Sequence, residues 1–114
     1  MSAHILDRLD ALIAARLAGE GERSYVQSLA AKGLPKVRGK VQEEAGEVLE
    51  ASVQLEHGAA PEALAGEAAD LIFHLMVLLR AQGLDAAAVW AVLEGRFGQS
   101  GLDEKASRTQ GTGK

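Results

Sequence analysis

Two short acidic steps, Glu44-Ala-Gly-Glu47 and Glu67-Ala-Ala-Asp70, hold the residues best suited to chemistry. Each sets two carboxylates three residues apart, which on an α-helix puts them on one face, one turn from each other. The second step runs straight into Leu71-Ile-Phe-His-Leu-Met-Val-Leu-Leu79. A carboxylate beside so much hydrocarbon needs a partner, because burying an unpaired charge is very costly. Four facing carboxylates are best partnered by a hard divalent cation, and that suggests chemistry on phosphates. All-oxygen ligation favours magnesium, or manganese, over zinc or iron. Neither step ends in the histidine that di-iron carboxylate bundles use.

Each step alone has a plainer explanation. Glu67 and Asp70 also suit an ion pair with Lys40 or a nearby arginine, and Glu44 and Glu47 a solvated acidic face. The combination favours a metal, since one basic residue does not neutralise four carboxylates. Glu43 adds an ambiguity: on an ideal helix Glu43 and Glu47 lie closer in angle than Glu44 and Glu47. Spacing therefore leaves open which of Glu43 and Glu44 completes the set. His74 stands four residues after Asp70 and is expected to donate to it, or to be a satisfied core histidine.

Positioning these groups requires helices. Apolar residues at Ile5, Leu6, Leu9, Leu12, Ile13 and Leu17 repeat at helical spacing over Ala3 to Leu17. Ser24 is suited to cap a short helix ending near Lys32-Gly33. Pro35 fits at or near the start of the next helix, predicted over Lys36 to His57 and closed by Gly58. Its expected buried stripe is Val37, Val41, Ala45, Val48, Ser52 and Leu55, widened by Leu49 and Val53, with Lys40, Glu43, Glu44, Glu47 and Glu50 on the other side. A second long helix is predicted from Pro61 to Gln82, and a further one after the cap residue Asp85, carrying Trp90 and Phe97. A last turn or two is expected within Leu102 to Arg108, and residues 110–114 read as a flexible tail. A short loop between the two long helices makes them antiparallel neighbours and can bring the acidic steps face to face. The expected architecture is all-α, a four- to five-helix antiparallel bundle in one domain spanning 1–109, its core completed by a homodimer because so short a chain buries little on its own.

Composition narrows the rest. Of 114 residues 47% are hydrophobic and only 4% aromatic, which favours helices packed on helices over sheets. The net charge of −4 gives no bulk attraction to nucleic acid. With no cysteine, thiolate zinc sites and cysteine nucleophiles are excluded. The run from Ala68 to Leu79 contains Asp70 and His74 and is too short to span a bilayer, and no signal peptide is visible. A cytoplasmic protein with no membrane partner is expected.

At these residues the chain resembles the phosphoribosyl-ATP pyrophosphatase family. The resemblance runs from about Leu6 to Arg108 and rests on Ser24-Tyr25, Lys40-Val-Gln-Glu-Glu-Ala-Gly-Glu-Val-Leu-Glu-Ala51, the Glu67 to Leu79 stretch, Arg96, and Ser100-Gly-Leu-Asp-Glu-Lys-Ala-Ser-Arg108. The acidic elements alone indicate only the wider all-α nucleotide pyrophosphatase superfamily with its MazG-like enzymes; the tail ending at Arg108 narrows it. Two departures are Phe73, where relatives often have tyrosine, and a longer polar C-terminus.

The resemblance implies magnesium-dependent hydrolysis of phosphoribosyl-ATP to phosphoribosyl-AMP and pyrophosphate, the second step of histidine biosynthesis. It carries metal ligation onto Glu44, Glu47, Glu67 and Asp70, with adjacent Glu43 as a candidate for orienting or deprotonating water. An acidic protein also needs cations for the phosphates of a small nucleotide substrate. Lys36 and Lys40 begin the first long helix beside the acidic cluster, and Arg96, Lys105 and Arg108 form a second basic group. For Lys40 an i, i+4 pair with Glu44 competes. Two alternatives remain: a MazG-like nucleoside triphosphate pyrophosphatase, and a non-catalytic helical dimerisation module with a solvated acidic stripe.

Overall fold

The computed structural model describes residues 4–98. They form five helices and no strand: α1 (Ile5–Leu17), α2 (Tyr25–Ala31), α3 (Leu34–Glu56), α4 (Pro61–Ala81) and α5 (Ala86–Phe97). The expected turn within Leu102 to Arg108 and the tail at 110–114 lie outside the described residues. The chain falls into two compact units divided between Leu84 and Asp85.

Local signals explain where the helices of the first unit begin and end. Ser24 and Gln27 form a reciprocal capping box at the start of α2, satisfying two donors that the first turn leaves open. Helix α3 begins at Leu34, two residues before the expected Lys36, because Pro35 in the first turn has no N–H to waste there. The turn into α3 uses Gly33 at φ +95°, and the connection 57–60 uses Gly58 at φ +98°, a region that favours glycine.

Helices α3 and α4 make the most extensive contact, α1 packs on α4 and α2, and α2 packs on α3. Ile13, Val26, Leu29, Val37, Ala51, Met76 and Val77 form the small core of this unit. A partly buried ion pair joins the first helix to the fourth: Arg80 donates to both carboxylate oxygens of Asp10 at 2.9 Å each. Neither residue stands out in the sequence, because they are 70 positions apart.

The buried stripe of α3 differs from expectation. The fully buried positions are Val37, Glu44 and Ala51, a seven-residue spacing, with Val41, Val48 and Leu55 half-buried between and beyond them. Seven-residue spacing is the mark of a narrow seam between side-by-side helices. Ser52 is exposed, and Leu49 and Val53, expected to widen the stripe, are 69% and 54% exposed. The seam turns about the helix axis just far enough to place Glu44 inside. On α4, His74, Met76 and Val77 are buried while Ile72 and Leu75 stay exposed.

The second unit contains α5, whose first turn is capped by the Asp85 carboxylate accepting from the Ala88 N–H at 3.0 Å. Among the described residues no single helix is long and apolar enough to cross a membrane.

Candidate metal centre

The four-residue connection folds α4 back along α3, and the two acidic steps meet. Carboxylate oxygens of Glu44, Glu67 and Asp70 lie within 4.8 Å of one another, and so do those of Glu43, Glu44 and Glu47. Glu44 belongs to both groups. It is also the buried member, at 5% exposure, whereas the Glu43 side chain is 54% exposed. The rotation that puts Glu44 in the α3–α4 seam leaves Glu43 facing solvent.

The two oxygens of Glu44 have different surroundings. Oε1 is 3.7 Å from Lys40 Nζ and 4.0 Å from His74 Nδ1. Oε2 is buried and has no hydrogen-bond partner among the described residues. An orphaned carboxylate oxygen is a costly thing to bury. Converging oxygens of this kind fit a hard divalent cation, which takes carboxylate ligands and would satisfy the orphan. Lys40 meets only part of the demand. It donates to Glu43 Oε2 at 3.1 Å, which, with the field of the neighbouring carboxylates, holds its ammonium pKa above the ordinary value.

Glu47 records the same crowding. Its pKa is pushed up from 4.5 to about 7, first by the adjacent Glu44 carboxylate, which favours a protonated Glu47 that can donate to it, and by the Glu44 charge, with loss of solvent, Glu67 and Glu43 adding to it. In the metal-free protein this fixes a direction. Between those two values the folded chain keeps a proton that the unfolded chain has released, so stability falls as pH rises through the window and levels off above about 7. Melting temperatures of chelator-treated protein from about pH 5 to about pH 8 should show this fall, and Glu47→Gln should lack its share of it. A fall of the same size in the variant would show that Glu47 is not the cause.

His74 is 6% exposed and uses both ring nitrogens. Nδ1 is 2.8 Å from the Asp70 carbonyl oxygen and Nε2 is 2.8 Å from the Tyr25 hydroxyl. Its link to Asp70 is thus to the backbone and not to the carboxylate. With both nitrogens engaged, the ring is a satisfied histidine at the edge of the site. The Tyr25 ring stacks near Phe73, centroids 6.2 Å apart, and meets His74 edge-on. Local sequence offers no sign of this contact, which spans 49 positions.

The cations are divided. Lys36 and Arg38 are exposed in the first turns of α3, and Lys40 is at the carboxylates. Arg96 is exposed in the last turn of α5, in the other compact unit. Lys105 and Arg108 lie outside the described residues.

A family model described as phosphoribosyl-ATP pyrophosphohydrolase matches residues 6–97. The chain belongs to the phosphoribosyl-ATP pyrophosphohydrolase family. Among its relatives, the phosphoribosyl-ATP pyrophosphatase of Erythrobacter litoralis is 52% identical over 103 residues, covering 90% of this chain and 95% of that one. The protein of the same name from Rhizorhabdus wittichii is 48% identical, covering 93% and 96%. That from Trichlorobacter lovleyi is 44% identical, covering 94% and 95%.

In this member of the pyrophosphohydrolase family, Gly46 sits in α3 between Glu44 and Glu47. A close approach by a neighbouring helix or a ligand would explain a glycine there, but a Cβ built at Gly46 meets nothing within 4 Å among the described residues. Among the described residues no helix demands glycine at this point. Gly46→Ala is therefore expected to stabilise the protein by about 0.5–1 kcal/mol through helix propensity, read as a raised melting temperature. A stabilised variant with weakened substrate turnover would assign the space to ligand.

Proposed function

We propose that this protein hydrolyses phosphoribosyl-ATP to phosphoribosyl-AMP and pyrophosphate, the second step of histidine biosynthesis, with magnesium or manganese held by Glu44, Glu47, Glu67 and Asp70. The observation that carries the metal is Glu44, buried, shared by both carboxylate groups and left with an orphaned oxygen. The substrate assignment is supported by family membership and by the name its relatives bear.

The products require cleavage of the anhydride between the α- and β-phosphates, with water attacking phosphorus and pyrophosphate leaving. A bound divalent cation supplies charge neutralisation on the phosphate oxygens and acidifies water. Glu44 and Asp70 reach the site from two different helices, so the α3–α4 contact presets their spacing before substrate arrives. Glu43, at the exposed rim, orients the attacking water and takes its proton, for which its bond to Lys40 must yield. Lys36 and Lys40 take phosphate oxygens from the α3 side, and the family resemblance adds Arg96, Lys105 and Arg108 as further proposed substrate-binding residues. All five carboxylates, Glu43 included, are thereby catalytic residues.

The deciding experiment assays phosphoribosyl-ATP beside a panel of nucleoside triphosphates, with and without magnesium. Turnover of phosphoribosyl-ATP that needs the metal is expected. Turnover of the panel alone would favour a MazG-like enzyme instead. A melting temperature indifferent to magnesium, with no turnover of any substrate, would favour the non-catalytic module, since a ligand of the folded state must stabilise it.

The proposed assembly is a homodimer in the cytoplasm. Leu49 and Val53 on α3 and Ile72 and Leu75 on α4 remain exposed, and a core of this size gains from covering them. The double substitution Leu49→Lys and Val53→Lys is expected to shift sedimentation from dimer to monomer. A wild-type monomer, or an unchanged dimer in the variant, would discard that face.

A further inference from the structure

His74 and Tyr25 are absorbed by neither metal binding nor phosphate contact, yet His74 bonds the Asp70 carbonyl oxygen and faces Glu44, and Tyr25 bonds His74. The Asp70 carbonyl oxygen can only accept, so the proton of the neutral ring sits on Nδ1 and the Nε2 lone pair accepts from the Tyr25 hydroxyl. The protonated nitrogen edge then also faces Glu44 Oε1 at 4.0 Å. In the other tautomer a bare nitrogen would face a carbonyl oxygen and a carboxylate oxygen together, three acceptors with no hydrogen among them. A neutral N–H edge does not cancel the charge of Glu44. Beside Oε1, with Lys40 at 3.7 Å, it makes that oxygen the better solvated of the pair and leaves Oε2 as the open one.

We propose that Tyr25 and His74 are positioning residues, a strut from α2 that holds the Glu44 carboxylate with Oε2 turned to the cation. The strut rests on the metal-dependent reading given above. Tyr25 opens α2 directly after its Ser24 cap, so docking of this short helix is transmitted to a carboxylate on α3 through a ring on α4. Comparable contacts to ligating side chains are worth about 10–100-fold in metal affinity.

The test is a Mn²⁺ titration, read calorimetrically, on wild type, Tyr25→Phe, His74→Ala and His74→Asn, with the tautomer of His74 read from its ring ¹⁵N shifts. Tyr25→Phe removes only the hydroxyl and keeps the ring beside Phe73. It is expected to weaken Mn²⁺ about tenfold and to change the Nε2 shift. At saturating Mn²⁺ its kcat should return near to the wild-type value. His74→Asn keeps an N–H donor near the place of Nδ1 and should bind more tightly than His74→Ala. This second pair decides the matter if Tyr25→Phe does not fold. Wild-type affinity in Tyr25→Phe, or equal affinities for the Asn and Ala variants, would overturn the strut and leave the metal site standing. Failure of wild type to bind Mn²⁺ would overturn both.

Discussion

Glu44→Gln is expected to lower metal-dependent turnover by about 10²–10³-fold while raising the stability of the metal-free protein. The loss corresponds to about 3–4 kcal/mol of charge stabilisation at the reacting phosphate, a typical share for a cation held in place. The gain follows from the same carboxylate. Glu44 stands in both carboxylate groups, is buried, and has an oxygen without a hydrogen-bond partner among the described residues. A glutamine of the same shape removes one negative charge from that cluster and supplies an N–H₂ to its oxygens. A protein selected only for stability would not keep a glutamate there, so opposite signs for stability and activity are the signature of a working site. Glu43→Gln gives the contrast. At the exposed rim beside Lys40, it should leave the magnesium-induced rise in melting temperature in place and reduce turnover by about 10²-fold, the lower end for loss of a proton acceptor rather than a ligand. The reverse order, with Glu43→Gln abolishing the metal effect and Glu44→Gln sparing it, would exchange the two roles.

Asp10→Asn should produce the largest loss of stability among the ion-pair substitutions, about 2 kcal/mol, with a fall in melting temperature of about 10 °C. The Asp10 side chain is 10% exposed, and it accepts two charge-assisted bonds from Arg80. Full burial of both partners would make the penalty about 3–5 kcal/mol. Arg80 is 29% exposed, so water recovers part of what the guanidinium loses. Asp70 and Arg80 are ten residues apart on α4, about 15 Å along the axis. Metal affinity should accordingly be unchanged in the folded variant. A parallel loss of Mn²⁺ affinity would show instead that the α1–α4 pair tunes the carboxylate site.

Much of this architecture is legible locally. The capping box at Ser24, the proline starts of α3 and α4, the glycine turn at Gly58 and the Asp85 cap each depend on residues within a few positions of one another. Helical periodicity likewise pairs Glu44 with Glu47 and Glu67 with Asp70 without help from the rest of the chain. A short connection between two long helices then leaves few arrangements other than side by side.

Rotation about the helix axis is another matter. It decided that Glu44, rather than Glu43, enters the α3–α4 seam, and that Leu49 and Val53 face outward. The apolar residues of α3 cover a wider arc than its neighbours can bury, so several rotations satisfy the pattern nearly equally, and side-chain packing selects among them. The contacts between Asp10 and Arg80 and between Tyr25 and His74 span 70 and 49 positions and follow no periodicity. The helices, the acidic steps and the chemistry open to them are written in neighbours three and four residues apart. Which carboxylate is buried between the helices depends on which surfaces meet, and so emerges only when the helices pack.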